Sequence, residues 1–196
     1  MPIRKFEDAD EFREHVKGVE EIIFDGFENL TERPKGYENQ KVKYSGKKST
    51  HTDIALLASN KKTWIYFVGS LYHGSNVDMG VLKKEFPPGQ GWFTGLKVLF
   101  DLGFIGVAKL YEFGELVIGE KKKRKSKNNP GPKLSDEQKE KNRGVGRERI
   151  FVEHAIGRLK KFRVLKNRCR LKCGKLKNQI IGICAGLANY QLTLKS

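Results

Sequence analysis

The sequence predicts a mixed α/β domain, a sheet with helices packed on it, on three observations. Two short apolar runs, at 20–26 and 95–101, each deliver an aspartate at or near their end. Strand-like segments separated by turn composition lie between them and predict an antiparallel meander. Helical periodicity dominates the C-terminal part.

Each element has a local reason. Residues 1–19 are mixed in charge and read as a short helix over 8–16. Glu20-Glu21-Ile22-Ile23-Phe24-Asp25-Gly26 is a compact apolar run closed by a carboxylate and a glycine, as a buried strand is. Strands are expected at 41–45, 51–58 and 63–69, with Ser59-Asn60-Lys61-Lys62 as a turn. Residues 78–86 have helical spacing, with Met79, Leu82 and Phe86 apolar, and stop at Pro87-Pro88 because proline cannot continue a helix. Gly95-Leu96-Lys97-Val98-Leu99-Phe100-Asp101 repeats the opening device, and 115–118 is a further strand. Residues 120–134 read as an exposed basic insertion broken by Asn128-Asn129-Pro130-Gly131-Pro132. Ser135-Asp136-Glu137-Gln138 starts a helix, 147–163 is an amphipathic helix, and 178–192 is a mostly apolar one. The chain thus divides into a helical lead at 1–19, a body at 20–170, and a C-terminal helical segment at 171–196 that packs on the body.

Charge narrows the class of partner. Of 196 residues 39 are Lys or Arg and 23 Asp or Glu, a net charge of +16, and 38% are hydrophobic, enough for a core. Seven cations fall between Lys121 and Lys133 and ten between Arg158 and Lys177, with no acid in either segment. Taking those 17 from the 39 leaves 22 basic groups against 23 acidic ones, a neutral remainder. Charge so localised points to a polyanion, most simply nucleic acid. The hydrophobic content excludes a disordered basic tail. No run approaches the ~20 apolar residues of a membrane span, and the start, MPIRKFEDADEF, has no apolar leader core. Cys169, Cys173 and Cys184 lack zinc-ligand spacing and read as reduced thiols, as in a cytoplasmic protein.

Asp25 and Asp101 are the first candidate site residues. If their strands are neighbours the carboxylates lie about 5 Å apart, and two such charges repel unless a cation sits between them. Hard oxygen donors suit Mg²⁺ or Mn²⁺. Glu153 is a third. At about 100° per residue, Phe151, Val152, Ala155, Ile156, Leu159 and Phe162 form the apolar arc of the 147–163 helix, while Arg149, Glu153 and Lys160 share a stripe along its edge. Asp78 stands at the start of its helix and reads as an N-cap. Glu28 falls on the other face of the first strand.

A family resemblance now appears. Ile23-Phe24-Asp25-Gly26, Tyr44-Ser45-Gly46-Lys47-Lys48-Ser49-Thr50-His51-Thr52, Gly74-Ser75-Asn76-Val77-Asp78, Phe100-Asp101-Leu102-Gly103-Phe104, then Asn142 and Arg149-Ile150-Phe151-Val152-Glu153-His154-Ala155-Ile156-Gly157-Arg158-Leu159-Lys160 resemble the successive signatures of the insertion-sequence DDE transposases, the DDE superfamily endonucleases. The resemblance runs from about residue 20 to 170.

It implies a ribonuclease H-like mixed sheet, an antiparallel meander plus parallel strands with flanking helices, as the catalytic domain over 20–170. The first aspartate, Asp25, would lie on the first strand, Asp101 on the adjacent family strand, and Glu153 on a later helix. The family's Arg-x-x-x-Glu-x-x-x-x-x-x-Lys pattern is met by Arg149, Glu153 and Lys160, which implies that Arg149 and Lys160 contact the DNA backbone. Arg158, Lys161, Arg163, Lys47, Lys48 and His51 are further DNA-binding candidates. The implied chemistry is phosphoryl transfer with two Mg²⁺ or Mn²⁺ ions held by Asp25, Asp101 and Glu153.

The implied partner is double-stranded DNA, as transposon ends and target, bound by a homo-oligomer in the cytoplasm at the nucleoid, with no membrane. Two positions depart from the pattern: Gly146 stands where some relatives carry a tyrosine, and the Gly74–Asp78 segment lacks the family's histidine. About 20 residues precede Asp25, so the expectation is the downstream product of a split or frameshifted gene, whose upstream chain carries DNA recognition, or a truncated copy. The readings that compete are a catalytically incomplete remnant and a basic DNA-binding protein without nuclease activity.

Overall fold

The computed structural model describes residues 1–122, 131 and 133–194, so most of the expected basic insertion, 123–130 and 132, lies outside the described residues. Among them the chain forms one mixed sheet of seven strands with helices on both faces. Helix α1 (Ala9–His15) begins where Asp8 accepts the Glu11 amide. Strand β1 (Ile22–Leu30) carries the first aspartate. Then come α2 (Tyr37–Lys43), β2 (Tyr44–Ser45), β3 (Thr50–Ser59), β4 (Ile65–Val68), β5 (Tyr72–His73), α3 (Asp78–Glu85), β6 (Lys97–Phe100) and β7 (Glu115–Ile118). The chain ends in α4 (Asp136–Leu159), α5 (Arg163–Lys166) and α6 (Gly174–Thr193).

The sheet order is β2-β3-β1-β6-β7. β1 runs antiparallel to β3 and parallel to β6, and β6 parallel to β7. β4, β5 and β2 share the outer edge of β3 in succession. This is the ribonuclease H-like mixed sheet that the family resemblance implied.

Alternation along the strands builds two cores. Ile22, Phe24, Leu56, Val98 and Phe100 face α1 and α3. Ile23, Phe27, Leu57 and Leu99 face α4 and α6. Phe24 and Phe100, each immediately before its aspartate, stack with ring centroids 5.2 Å apart and planes at 15°. That contact fixes the β1–β6 register, and with side chains alternating it turns both successors, Asp25 and Asp101, to the α4 side.

Several boundaries differ from the sequence reading. β1 continues past Asp25 to Leu30, because the residues after Asp25 pair with β3 from Leu56 to Thr52. The expected strand 41–45 is instead the end of exposed helix α2 plus the two-residue β2; the Val42/Tyr44 alternation mimics a strand, yet no residue of α2 is buried. The helix start at Ser135 and the helix at 147–163 are one helix, α4, closed at its N-terminus by a Ser135/Gln138 capping box and ending at Leu159. Asp78 is not an N-cap: Val77 holds that position without a side-chain bond. Helix α6 starts four residues earlier than 178 and ends one later than 192. No described helix is long and apolar enough to cross a membrane.

Candidate functional site

Three elements deliver the acids to one end of the sheet. Ile22 pairs with Val98 and Ile23 with Leu99, and the same offset carried two residues on sets Asp25 level with Asp101. Asp25 lies inside β1 and is 9% exposed; its Oδ1 accepts the Gly26 amide at 2.8 Å. Asp101 lies one residue beyond β6 and caps a short 3₁₀ turn, Leu102–Phe104, its Oδ1 accepting the Leu102 amide at 2.6 Å. Glu153 comes from α4, which packs on β1, β3 and β6 through Val152, Ala155 and Leu159.

The acids meet at Arg149, one turn before Glu153 on α4. Its guanidinium lies 3.4 Å from Asp25 Oδ2, 3.2 Å from Asp101 Oδ1 and 3.9 Å from Glu153 Oε1. The Arg149 side chain is 17% exposed, and its Nε is buried without a hydrogen-bond partner. Burial pushes the Asp25 carboxyl up to about 6, against the pull of Arg149 and the Gly26 amide and helped by the charges of Asp101 and Asp78. The site is therefore short of solvation and rich in negative charge, with a protein cation in its middle.

The donor set fits hard divalent ions, being three carboxylates directed at one cationic position. No group of three or more His, Cys, Asp or Glu among the described residues already stands at mutual metal-ligand spacing. The acids are spread around the guanidinium of Arg149.

The basic candidates divide. Lys160, at the end of α4, is partly buried, with Nζ 5.7 Å from the centre of the Phe27 ring. Desolvation and Lys48 lower its pKa, while Glu28 and Asp25 oppose them. With Lys161, Arg163 and Lys166 it lines an open concavity of about 480 Å³. Lys47 and Lys48 are exposed on the turn between β2 and β3. His51 stands against the Tyr44 ring at 5.7 Å, and desolvation, ahead of Arg33, Arg168 and Lys43, lowers its pKa. Arg158 is turned elsewhere: it donates to Thr63 Oγ1 at 2.7 Å and to the Ala188 carbonyl, so its guanidinium is committed within the fold.

Two residues support the site without having been given that part by the sequence. Asn142 accepts the Glu120 amide at 2.7 Å and donates to the Glu120 carbonyl at 3.0 Å, pinning α4 to the chain leaving β7. It lies seven residues before Arg149, two turns along one face, and that spacing was the available signal. Asp78 is wedged where a Cβ on Gly26 would lie 1.9 Å from its Oδ1 and one on Gly103 2.7 Å from its Oδ2. The glycines that follow Asp25 and Asp101 thus admit a fourth carboxylate. Its pKa is raised mainly by burial, with Asp101 and Glu28 adding to the shift and Lys47 and Arg149 opposing it.

Fold and site together define an α/β protein in which two strand-borne aspartates and a helix-borne glutamate share one end of a mixed sheet. The chain belongs to the DDE superfamily endonucleases: the model of that family matches residues 24–189. It is 34% identical over 177 residues to a protein of Microchaete diplosiphon named as the probable transposase for insertion sequence element IS702. That match covers 89% of this chain and 58% of the relative, so the chain spans somewhat more than half the length of the relative it matches. No solved structure matches it.

Proposed function

We propose that the chain is the catalytic domain of a DNA transposase, a metal-dependent endonuclease and strand transferase acting on transposon-end DNA. The observation that carries this reading is the convergence of Asp25, Asp101 and Glu153 on one cationic position. Asp25, Asp101 and Glu153 would together hold two Mg²⁺ or Mn²⁺ ions. Such ions supply activation of the attacking oxygen and stabilisation of the leaving one in an in-line displacement.

The chain's own residues do the rest. Phe24 and Phe100 hold the two aspartates in register, and Asn142 holds the helix that brings Glu153. Arg149, once displaced from the acids, is one turn from Glu153 and able to reach a phosphate beside the reacting one. Lys160, Lys161 and Arg163 on one side, with Lys47, Lys48 and His51 on the other, hold the backbone of the strand; Arg158 is left out because its donors are used internally. The same site, offered water or a freed DNA 3′-hydroxyl as nucleophile, serves both nicking and joining. The working assembly is a homo-oligomer on double-stranded DNA at the nucleoid.

The test is cleavage by the purified chain of a duplex bearing the terminal sequences that flank its gene, with Mg²⁺ or Mn²⁺. Nicking is expected, and Asp101→Ala is expected to abolish it while leaving DNA binding intact. If the duplex binds yet is never cut, the protein is a basic DNA-binding remnant.

A further inference from the structure

Asp78 is an acid that its own helix does not use. It holds the first position of α3, yet Val77 is the N-cap and no side-chain bond closes that helix end. The carboxylate is inserted instead where β1 and the turn after β6 part. A Cβ on Gly26 would lie 1.9 Å from its Oδ1, and one on Gly103 2.7 Å from its Oδ2. Asp78 therefore spans the two chain segments that follow Asp25 and Asp101.

The two glycines are there for space. Neither Gly26 nor Gly103 has a positive φ, so the backbone at each position would accept an ordinary residue. Glycine inside a strand weakens it and marks the close approach of another group, and any side chain at Gly26 would meet Asp78 at once. The central strand of the sheet thus gives up a side chain to admit a carboxylate. A filler of that slot needs no charge, and burying one is costly unless a cation is close.

The charges around Asp78 are those of the acid site. Asp101 and Glu28 oppose its negative charge while Lys47 and Arg149 favour it, and Asp78 in turn adds to the charge that Asp25 feels. Arg149, the cation among the three acids, therefore acts on a fourth. The acids also approach from both faces of the sheet, Glu153 from α4 and Asp78 from α3. Before any phosphate arrives, two divalent ions exceed the charge of three carboxylates by one, and a fourth carboxylate makes up the difference.

We propose that Asp78 is a fourth acid of the metal site, reaching it from the α3 side between Gly26 and Gly103. The assignment rests on the reading above for the presence of the ions, and adds to it a residue outside the Asp25, Asp101 and Glu153 set. Asparagine at position 78 has the same shape and fills the same slot without the charge. It separates an acid of the site from a wedge that only spaces the two segments.

The test is calorimetric titration of Mn²⁺ into the full chain without DNA. Asp78→Asn is expected to weaken binding at least tenfold without lowering the melting temperature of the metal-free protein, since the shape is kept and a charge facing Asp101 and Glu28 is removed. Unchanged Mn²⁺ affinity in Asp78→Asn, alongside weakened affinity in Asp101→Asn, overturns the role of Asp78 and leaves the metal reading standing. A native chain that binds no Mn²⁺ overturns the metal reading and this assignment with it. Asp78→Ser, too small to clash with either glycine segment, is expected to lose binding to a similar extent. Full Mn²⁺ affinity in that variant would refute the proposal even if Asp78→Asn fails to fold.

Discussion

Removing Arg149 would leave Asp25 and Asp101 side by side with no cation between them, and the resulting repulsion would favour any ion able to enter. On the proposed reading a divalent ion would compete with the guanidinium for the same three carboxylates, so the side chain that steadies them would also oppose loading. Arg149→Gln is accordingly expected to bind Mn²⁺ about tenfold more tightly than the native chain, ~1.4 kcal/mol, in calorimetric titration without DNA, and to melt lower when metal is absent. Asp101→Asn should weaken the same binding. Unchanged or weaker Mn²⁺ affinity in Arg149→Gln would mean that the guanidinium does not occupy the metal position. At this scale the sequence reading placed the three acids because strand ends and helical periodicity locate side chains by face. It missed the position of Arg149 because i,i+4 spacing pairs it with Glu153 and is silent about reaching across the sheet. It misjudged Asp78 because N-cap preference is local, whereas the slot made by Gly26 on β1 and Gly103 in the turn after β6 comes from two segments distant in sequence.

Among the elements, α4 shows where local propensity and tertiary packing disagree. Gly144 and Gly146 each cost roughly 1 kcal/mol in a helix interior and read as a break, yet the helix runs through them because Val145 packs into the core and Asn142 anchors the preceding turn. α6 is tied down differently. Its Lys177 Nζ lies 2.7 Å from Asp53 Oδ2 on β3, both side chains 6% exposed, with Lys43 and His73 at 3.6 and 3.8 Å from the other oxygen. Breaking a buried pair costs more than the pair contributes, because one charge stays buried without its nearest partner. Lys177→Ala is expected to destabilise the chain by about 3 kcal/mol in urea unfolding, and Asp53→Asn with Lys177→Met to recover most of it. If the double variant is as unstable as the single one, the loss comes from packing of the lysine stem and not from the stranded carboxylate. The charge count in 158–177 was legible in the sequence, but that Lys177 points inward was not, since a lysine among lysines carries no mark of burial.

Across the whole molecule, the question is which cations face solution. Of the ten between Arg158 and Lys177, the structure commits Arg158 to Thr63 and Ala188 and Lys177 to Asp53, while Lys161, Arg163 and Lys166 are exposed beside the acidic end of the sheet. Each phosphate neutralised on duplex DNA releases counterions and adds about −0.9 to the slope of log K against log salt. Replacing Lys161, Arg163 and Lys166 together by alanine is therefore expected to make that slope shallower by roughly 2.7, to a similar extent for unrelated duplex sequences, in anisotropy titrations over a range of KCl. Arg158→Ala removes the same formal charge per residue as any one of them, but its guanidinium is spent on the fold, so it should lower the melting temperature and leave the slope nearly where it was. A slope that falls by about 0.9 in Arg158→Ala, or that stays fixed in the triple variant, would show that DNA follows a different path over the surface from the one leading past the end of α4 to Asp25, Asp101 and Glu153.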